Sequence, residues 1–88
     1  LSDFKLFQNY PNPFNPSTVI SYQLPVGCKV ILKVFDVLAK EIATLVNEEK
    51  PAGSYEVNFN ANNLASGIYI VTLKTNSISV SQKIVLMK

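Results

Sequence analysis

A segment rich in proline and asparagine near the N-terminus most constrains what this chain can fold into. Residues 8–18 read QNYPNPFNPST and contain three prolines. Each proline lacks a backbone N–H, fixes φ and disfavours the helical conformation of the residue before it. Neither a helix nor a central β-strand can therefore run through this segment. Because it also contains Tyr10 and Phe14, we predict an ordered lead-in that packs on the domain, since disordered linkers are poor in large apolar residues.

The side chains of this lead-in (residues 8–18) are expected to shape the fold. Tyr10 and Phe14 are predicted to cover one end of the domain, because aromatic side chains beside residues of fixed φ lose little entropy on packing. The asparagines are predicted to form turns through hydrogen bonds to the backbone. The candidate recognition or fold-signature residues of the lead-in are Gln8, Asn9, Tyr10, Pro11, Pro13, Phe14 and Pro16.

Downstream of the lead-in, apolar and polar residues alternate, which is typical of half-buried β-strands. For example, Val30, Leu32 and Val34 share one parity, while Lys29 and Lys33 share the other. Side chains of the apolar parity are expected to point inward. The set comprises Ile20, Tyr22, Leu24, Val30, Leu32, Val34, Tyr55, Val57, Phe59, Tyr69, Val71 and Leu73.

With an edge strand at residues 4–7 and a long final strand at 77–88, the pattern amounts to about seven strands. The predicted fold class is therefore all-β, an antiparallel sandwich formed by one domain over residues 1–88. A helix over residues 37–49 is the main alternative, because Leu38 and Ile42 lie at helical spacing. We favour a strand there, preceded by a turn at 36–40, because the segment is needed to complete a sheet.

The composition argues against catalysis, metal binding and nucleic-acid binding. The chain has no histidine and one cysteine, Cys28, so it lacks a base that titrates near neutral pH and the ligands of a thiolate cluster. The adjacent acids Glu48 and Glu49 are interpreted as solvated loop charges. Its eight lysines are dispersed and it has no arginine, unlike a nucleic-acid interface. We predict a protein that is not an enzyme and that has no cofactor, metal site or nucleic-acid partner.

Several ordered motifs resemble one known family. Residues 6–25 read LFQNYPNPFNPSTVISYQLP, residues 30–47 contain VILKVFD and LVN, and residues 64–69 read LASGIY. Together they resemble the type A C-terminal sorting domain of the type IX secretion system, over essentially the whole chain. The resemblance implies an Ig-like sandwich, and Gly53, Gly67, Ile68 and Tyr69 are further candidate fold-signature residues. One departure is Ala39, where the family usually has glycine, so we expect either an altered turn at this position or Ala39 in a costly left-handed conformation.

The resemblance also implies a function. Such a domain lies at the end of a secreted cargo protein and directs the cargo across the outer membrane, after periplasmic transit, to the cell surface or the medium. The implied partners are the outer-membrane secretion machinery, an upstream cargo domain in the same polypeptide and a sortase-like peptidase. The N-terminal residues LSDFKLFQ lack the regions of a signal peptide, so the chain is expected to be a fragment of a larger protein.

The final strand is the best candidate for direct contact with the machinery, because an edge strand offers unpaired backbone groups to a partner. Lys83 and Lys88 are candidate residues for guiding that docking. A second hypothesis is an accessory carbohydrate-binding or adhesive module of a secreted enzyme. Such a module would stack sugars on exposed aromatic residues, for which Tyr10, Phe14, Phe7 and Phe35 are the available candidates.

Overall fold

Strands account for most of the chain, as the alternating pattern predicts. A computed structural model describes residues 3–88, so the first two residues of the predicted domain lie outside the described part. The strands are β1 (Lys5–Leu6), β2 (Ser17–Leu24), β3 (Cys28–Asp36), β4 (Glu41–Lys50), β5 (Gly53–Asn60), β6 (Gly67–Lys74) and β7 (Ser79–Leu86). The all-β prediction is confirmed, and residues 37–49 form a turn and most of β4 where a helix was the alternative. Glu48 and Glu49 are exposed as predicted, but they lie in β4 and not in a loop, because β4 continues to Lys50. Within residues 3–88, no helix could cross a membrane.

The strands form two antiparallel sheets that pack face to face. One sheet has the order β1-β2-β5 and the other the order β4-β3-β6-β7. In the first sheet β2 pairs with β5 along its whole length, and in the second β3 is central, with β4 on one side and β6 on the other. This arrangement of three strands facing four is the expected Ig-like sandwich.

The inner faces of both sheets form one hydrophobic core. Ten of the twelve side chains predicted to point inward are buried, among them Leu24, Val30 and Leu73 at 0% exposure. The other two, Tyr55 and Val57, are half-buried and pack against the core, because β5 is an edge strand. The prediction of which residues face inward is therefore confirmed in each of these strands.

The last strand is shorter than predicted. β7 spans Ser79–Leu86, whereas the alternation predicted a strand over 77–88. The Thr75 hydroxyl accepts hydrogen bonds from the backbone N–H groups of Ser77 and Ile78, and this turn delays the start of the strand. Ile84 and Leu86 are both 0% exposed. The end of the chain is therefore part of the core.

The turn between β3 and β4 has a strained geometry at Ala39, which is one of the two outcomes expected from the departure from the family pattern. The Asp36 carboxylate accepts hydrogen bonds from the backbone N–H groups of Leu38 and Lys40, each at 2.9 Å. Ala39 has φ of 66°, in the left-handed region where a Cβ is crowded. Asp36 thus holds the turn in a conformation that would suit glycine better at position 39.

The substitution Ala39→Gly is expected to stabilise the domain by about 1 kcal/mol, because relief of the left-handed strain outweighs the added freedom of the unfolded chain. For a domain of this size, that corresponds to a rise in thermal midpoint of about 4–8 °C. Thermal unfolding followed by circular dichroism measures the change. An unchanged or lower midpoint would contradict the strain argument.

A repeated local feature begins β5 and β6. Gly53 and Gly67 have φ of 152° and 153°, a conformation that side chains with a Cβ rarely adopt. Two residues after each glycine, Tyr55 and Tyr69 donate their hydroxyls to the backbone carbonyl four residues upstream, each at 2.6 Å. Each glycine thus allows the chain to turn into a strand, and each tyrosine fastens the loop before it.

Candidate recognition surface

The lead-in joins the two sheets of the sandwich. At one end, Tyr10 exchanges two backbone hydrogen bonds with Val19 of β2, at 2.9 and 3.1 Å. At the other end, the N–H of Phe14 donates to the carbonyl of Val85 at 2.9 Å, and the carbonyl of Phe14 accepts from the N–H of Met87 at 3.0 Å. The lead-in therefore bridges β2 of the first sheet and the end of β7 in the second.

Amide side chains hold the lead-in in this path. Asn9 is buried, and its Nδ2 donates to the carbonyl of Pro11 at 3.2 Å and to the Thr18 hydroxyl at 3.0 Å. Gln8 accepts a hydrogen bond from the side chain of Gln82 in β7 at 2.6 Å. These contacts give Gln8 and Asn9 structural roles. The bond from Asn9 to the backbone of Pro11 is of the kind predicted for the asparagines of the lead-in.

The prolines of the lead-in lie at its surface. Pro11 and Pro13 are exposed and Pro16 is half-buried, and the peptide bond before each of the three is cis. The carbonyl of Pro16 accepts a hydrogen bond from the N–H of Ala61 at 2.8 Å, just beyond the end of β5. Pro16 thereby ties the end of the lead-in to the neighbouring strand.

The two aromatic residues of the lead-in behave differently, and the prediction that both pack is wrong for one of them. Phe14 is 2% exposed and lies in the core, with its ring centroid 6.2 Å from that of Phe59. Tyr10 is 80% exposed. Tyr10 lies opposite Val19, whose two neighbours in β2 are buried, so Tyr10 shares the outer face of the sheet with Val19 and its ring points away from the core. Of the two aromatic side chains, only Phe14 anchors the lead-in in the core.

The outer edge of β7 is hydrogen-bonded to the lead-in at one end and is open at the other in that its backbone groups have no partner there among the described residues, although β1 also approaches β7. Val85 is fully engaged there, because its N–H donates to Asn12 Oδ1 at 3.1 Å and its carbonyl accepts from Phe14. Since backbone groups alternate sides along a strand, Ser79, Ser81 and Lys83 present theirs on this same edge. Among residues 3–88, no backbone group beyond the paired strand β6 bonds to those three.

The candidate lysines of the last strand have different surroundings. The side chain of Lys83 is exposed on the outer face of the sheet, next to Ile70 of β6. The ammonium of Lys88 donates to the carbonyl of Asn62 at 2.6 Å, and its backbone N–H donates to the Ser66 hydroxyl. Lys83 is therefore free to meet a partner, whereas Lys88 fastens the C-terminus to the loop between β5 and β6.

Local hydrogen bonds and burial shift the pKa values of several ionisable groups. Hydrogen bonds from Lys33 and then Thr44 lower the pKa of Glu41, and a hydrogen bond from Lys50 lowers the pKa of Glu48. Burial raises the pKa of the Cys28 thiol, which favours its protonated and unreactive form. Among residues 3–88, no cluster of His, Cys, Asp or Glu could hold a metal ion.

A group of apolar residues lies on the outer face of the four-stranded sheet and in the turn after β3. We call it the outer patch, and it consists of Phe35, Val37, Leu38, Ile68 and Ile70. Ile68, which is 43% exposed, was a candidate fold-signature residue and Phe35 a candidate for sugar stacking, but the group as a whole was not predicted. The sequence did contain a sign of this patch. β3 and β6 have apolar residues at consecutive positions, and since neighbouring side chains of a strand point to opposite faces, some of them must lie on the outer face.

Comparison with known proteins assigns the chain to a family. The family model described as a secretion system C-terminal sorting domain matches residues 8–87. No curated protein and no solved structure matches the chain. The matched region includes the lead-in and all of β2 to β7, so it covers every element of the sandwich except the short β1. The chain therefore belongs to the family of type IX secretion C-terminal sorting domains, as its ordered motifs indicate.

Proposed function

We propose that residues 1–88 form one sorting domain at the end of a larger secreted protein and direct that cargo through the periplasm and across the outer membrane. The observation that carries this proposal is the family match over residues 8–87. The fold supports it physically. The lead-in ties both sheets together through its own hydrogen bonds, so the domain can present a fixed surface regardless of the cargo attached to it.

We further propose how the machinery engages this surface. The open edge of β7 at Ser79, Ser81 and Lys83 offers backbone groups to a strand of the partner, and the Lys83 ammonium favours an acidic residue in that strand. The lead-in and glycine residues act indirectly, because they hold β7 in place. A sortase-like peptidase that cleaves upstream of the domain completes the proposed pathway.

Fusion of residues 1–88 to a reporter delivered to the periplasm tests this function. In a cell that has the type IX machinery, the reporter is expected outside the cell. The variant Lys83→Glu keeps the exposed backbone but reverses the charge, so it is expected to lower export while the thermal midpoint stays unchanged. Retention of the unaltered fusion beside an exported authentic cargo would contradict the proposal.

An accessory carbohydrate-binding module is the second candidate, and the exposure of Tyr10 is the observation in its favour. A sugar platform usually needs an open aromatic face, and the Tyr10 ring is 80% exposed. The other candidate rings argue against a sugar platform, because Phe14 is buried in the core and Phe7 is only 42% exposed. Tyr10 is thus left as the only strongly exposed aromatic ring within residues 3–88.

The domain is expected to show no saturable binding to soluble or insoluble polysaccharides, because a single exposed ring supplies too little stacking area. Isothermal titration calorimetry of the reporter fusion against a panel of polysaccharides measures this. The matched control is Tyr10→Ala, whose side chain lies outside the core. Saturable binding that disappears in Tyr10→Ala would favour the accessory module over the sorting domain.

A further inference from the structure

The outer patch is formed by residues of the non-core parity at the turn end of the four-stranded sheet. Phe35 of β3 lies directly opposite Ile70 of β6 in the register, and Ile68 lies opposite Val85 of β7. The intervening residues Val34, Tyr69 and Val71 point into the core and are buried. The patch therefore spans β3, the turn after it and β6, and has no covering element among residues 3–88.

Exposure and shape distinguish this patch from scattered surface hydrophobics. Leu38 is 86% exposed, Val37 is 68% exposed and Ile68 is 43% exposed. Beside them is a groove of about 450 Å³ lined by Phe35, Val37 and Ile70 together with Asp36 and Ala39. Single exposed apolar residues need no explanation, but a contiguous group around a concave site marks an interaction surface.

The charges beside the patch indicate the chemistry of its partner. Residues 57–88 contain three lysines and no aspartate or glutamate. Lys83 is the register partner of Ile70 and has no acidic partner within residues 3–88. A second groove, which shares Phe35 with the first, is lined by Lys33 and Lys74. Of the lysines around the patch, Lys33 already pairs with Glu41 at 2.9 Å, whereas Lys40, Lys74 and Lys83 have no acidic partner within residues 3–88. Lys74 and Lys83 lie on the sheet beside the grooves, so they are the cations placed to meet a partner there.

We infer that the outer patch is a docking surface for a protein of the secretion machinery that presents an apolar side chain flanked by carboxylates. The apolar side chain fills the groove over Phe35 and Ile70, and the carboxylates meet Lys83 and Lys74. This inference rests on the proposed function and adds a second contact beside the open edge of β7. A buried apolar anchor surrounded by complementary charge is the usual form of a binding hot spot.

A protein partner fits this surface better than an anionic membrane. Val37 and Leu38 would enter a bilayer first, because they protrude most from the turn. Asp36 precedes them and lines the groove, whereas Glu41 is paired with Lys33. A protein partner can insert one apolar side chain between β3 and β6 and place its carboxylates beside Lys74 and Lys83, away from Asp36, whereas an anionic lipid surface would bring negative charge against Asp36 as well.

The export assay with the reporter fusion tests the inference through Leu38→Glu and Ile70→Glu, which place a charge in the patch without altering the core. The matched control is Val26→Glu, because Val26 is an equally apolar residue, 56% exposed, in the turn between β2 and β3. Export of both patch variants is expected to fall about tenfold or more, as for other hot-spot residues. Val26→Glu is expected to be exported like the unaltered fusion, and all three variants are expected to keep its thermal midpoint.

The outcomes separate this inference from the proposed function. If the unaltered fusion is not exported, the proposed function fails. If it is exported and the patch variants are exported equally well, the docking inference is wrong while the function stands. An equal loss in Val26→Glu would also overturn the inference, because the effect would not be specific to the patch. Binding of the purified fusion to phosphatidylcholine vesicles that contain phosphatidylglycerol, abolished by Leu38→Glu, would assign the patch to lipid instead.

Discussion

The substitution Phe14→Ala is expected to destabilise the domain by about 3–5 kcal/mol, the usual effect of removing a buried phenylalanine ring. Phe14 is 2% exposed and packs against Phe59 in a tilted arrangement, so its removal leaves a cavity between the sheets. The total free energy of unfolding of a native domain is only about 5–15 kcal/mol. We therefore expect the variant to unfold at a much lower temperature, or to be largely unfolded at 37 °C.

The exposed aromatic residue of the same segment provides the control. Tyr10→Ala removes a ring that is 80% exposed and is expected to change the free energy of unfolding by less than about 0.5 kcal/mol. Chemical denaturation of both variants measures the difference. Similar small effects at the two positions would show that the lead-in is not anchored by Phe14.

Deletion of Ile84–Lys88 is expected to abolish cooperative unfolding altogether. It removes Ile84 and Leu86, both 0% exposed, and each such loss alone costs about 2–5 kcal/mol. It also removes the carbonyl of Val85 and the N–H of Met87, which pair with Phe14. The deletion therefore releases the lead-in as well as the end of β7. Near-ultraviolet circular dichroism and thermal scans measure the loss of fixed packing.

A shorter deletion separates the core from the terminal contacts. Removal of Met87 and Lys88 keeps Ile84 and Leu86, so a cooperative transition at a lower temperature is expected. If the longer deletion also unfolded cooperatively near the original midpoint, the assignment of β7 to the core would be wrong. Because the longer deletion unfolds the domain, its loss of export cannot by itself identify a recognition strand, and point variants such as Lys83→Glu are needed.

The strands could be predicted from sequence because each buries one face. The period of two places Val30, Leu32 and Val34 on the inner face without any knowledge of the partner strands. The left-handed conformation of Ala39 was one of two outcomes that the sequence offered, since Ala39 replaces the glycine that the family pattern has at this turn. Both features depend on residues that are close together in the sequence, which is why a sequence pattern can predict them.

The environment of the lead-in could not be predicted in full, because it has no periodic structure. Tyr10 and Phe14 have similar sequence neighbours, yet one is exposed and the other is buried. Their difference depends on how the segment crosses from β2 to β7. The outer patch was not predicted as a group either, because Phe35 was considered only as a single exposed aromatic residue and Ile70 only as a strand residue. Their exposure depends on the absence of a covering layer within residues 3–88.

Export of the reporter fusion is the most direct test of the central claim that this domain is a secretion signal. The measurement compares the reporter in the periplasm with that on the surface and in the medium, in cells with a functional type IX machinery and in cells that lack it. We expect the fusion outside only the competent cells, and the authentic cargo of those cells serves as the internal standard. A fusion that stays in the periplasm while the authentic cargo is exported would contradict the claim.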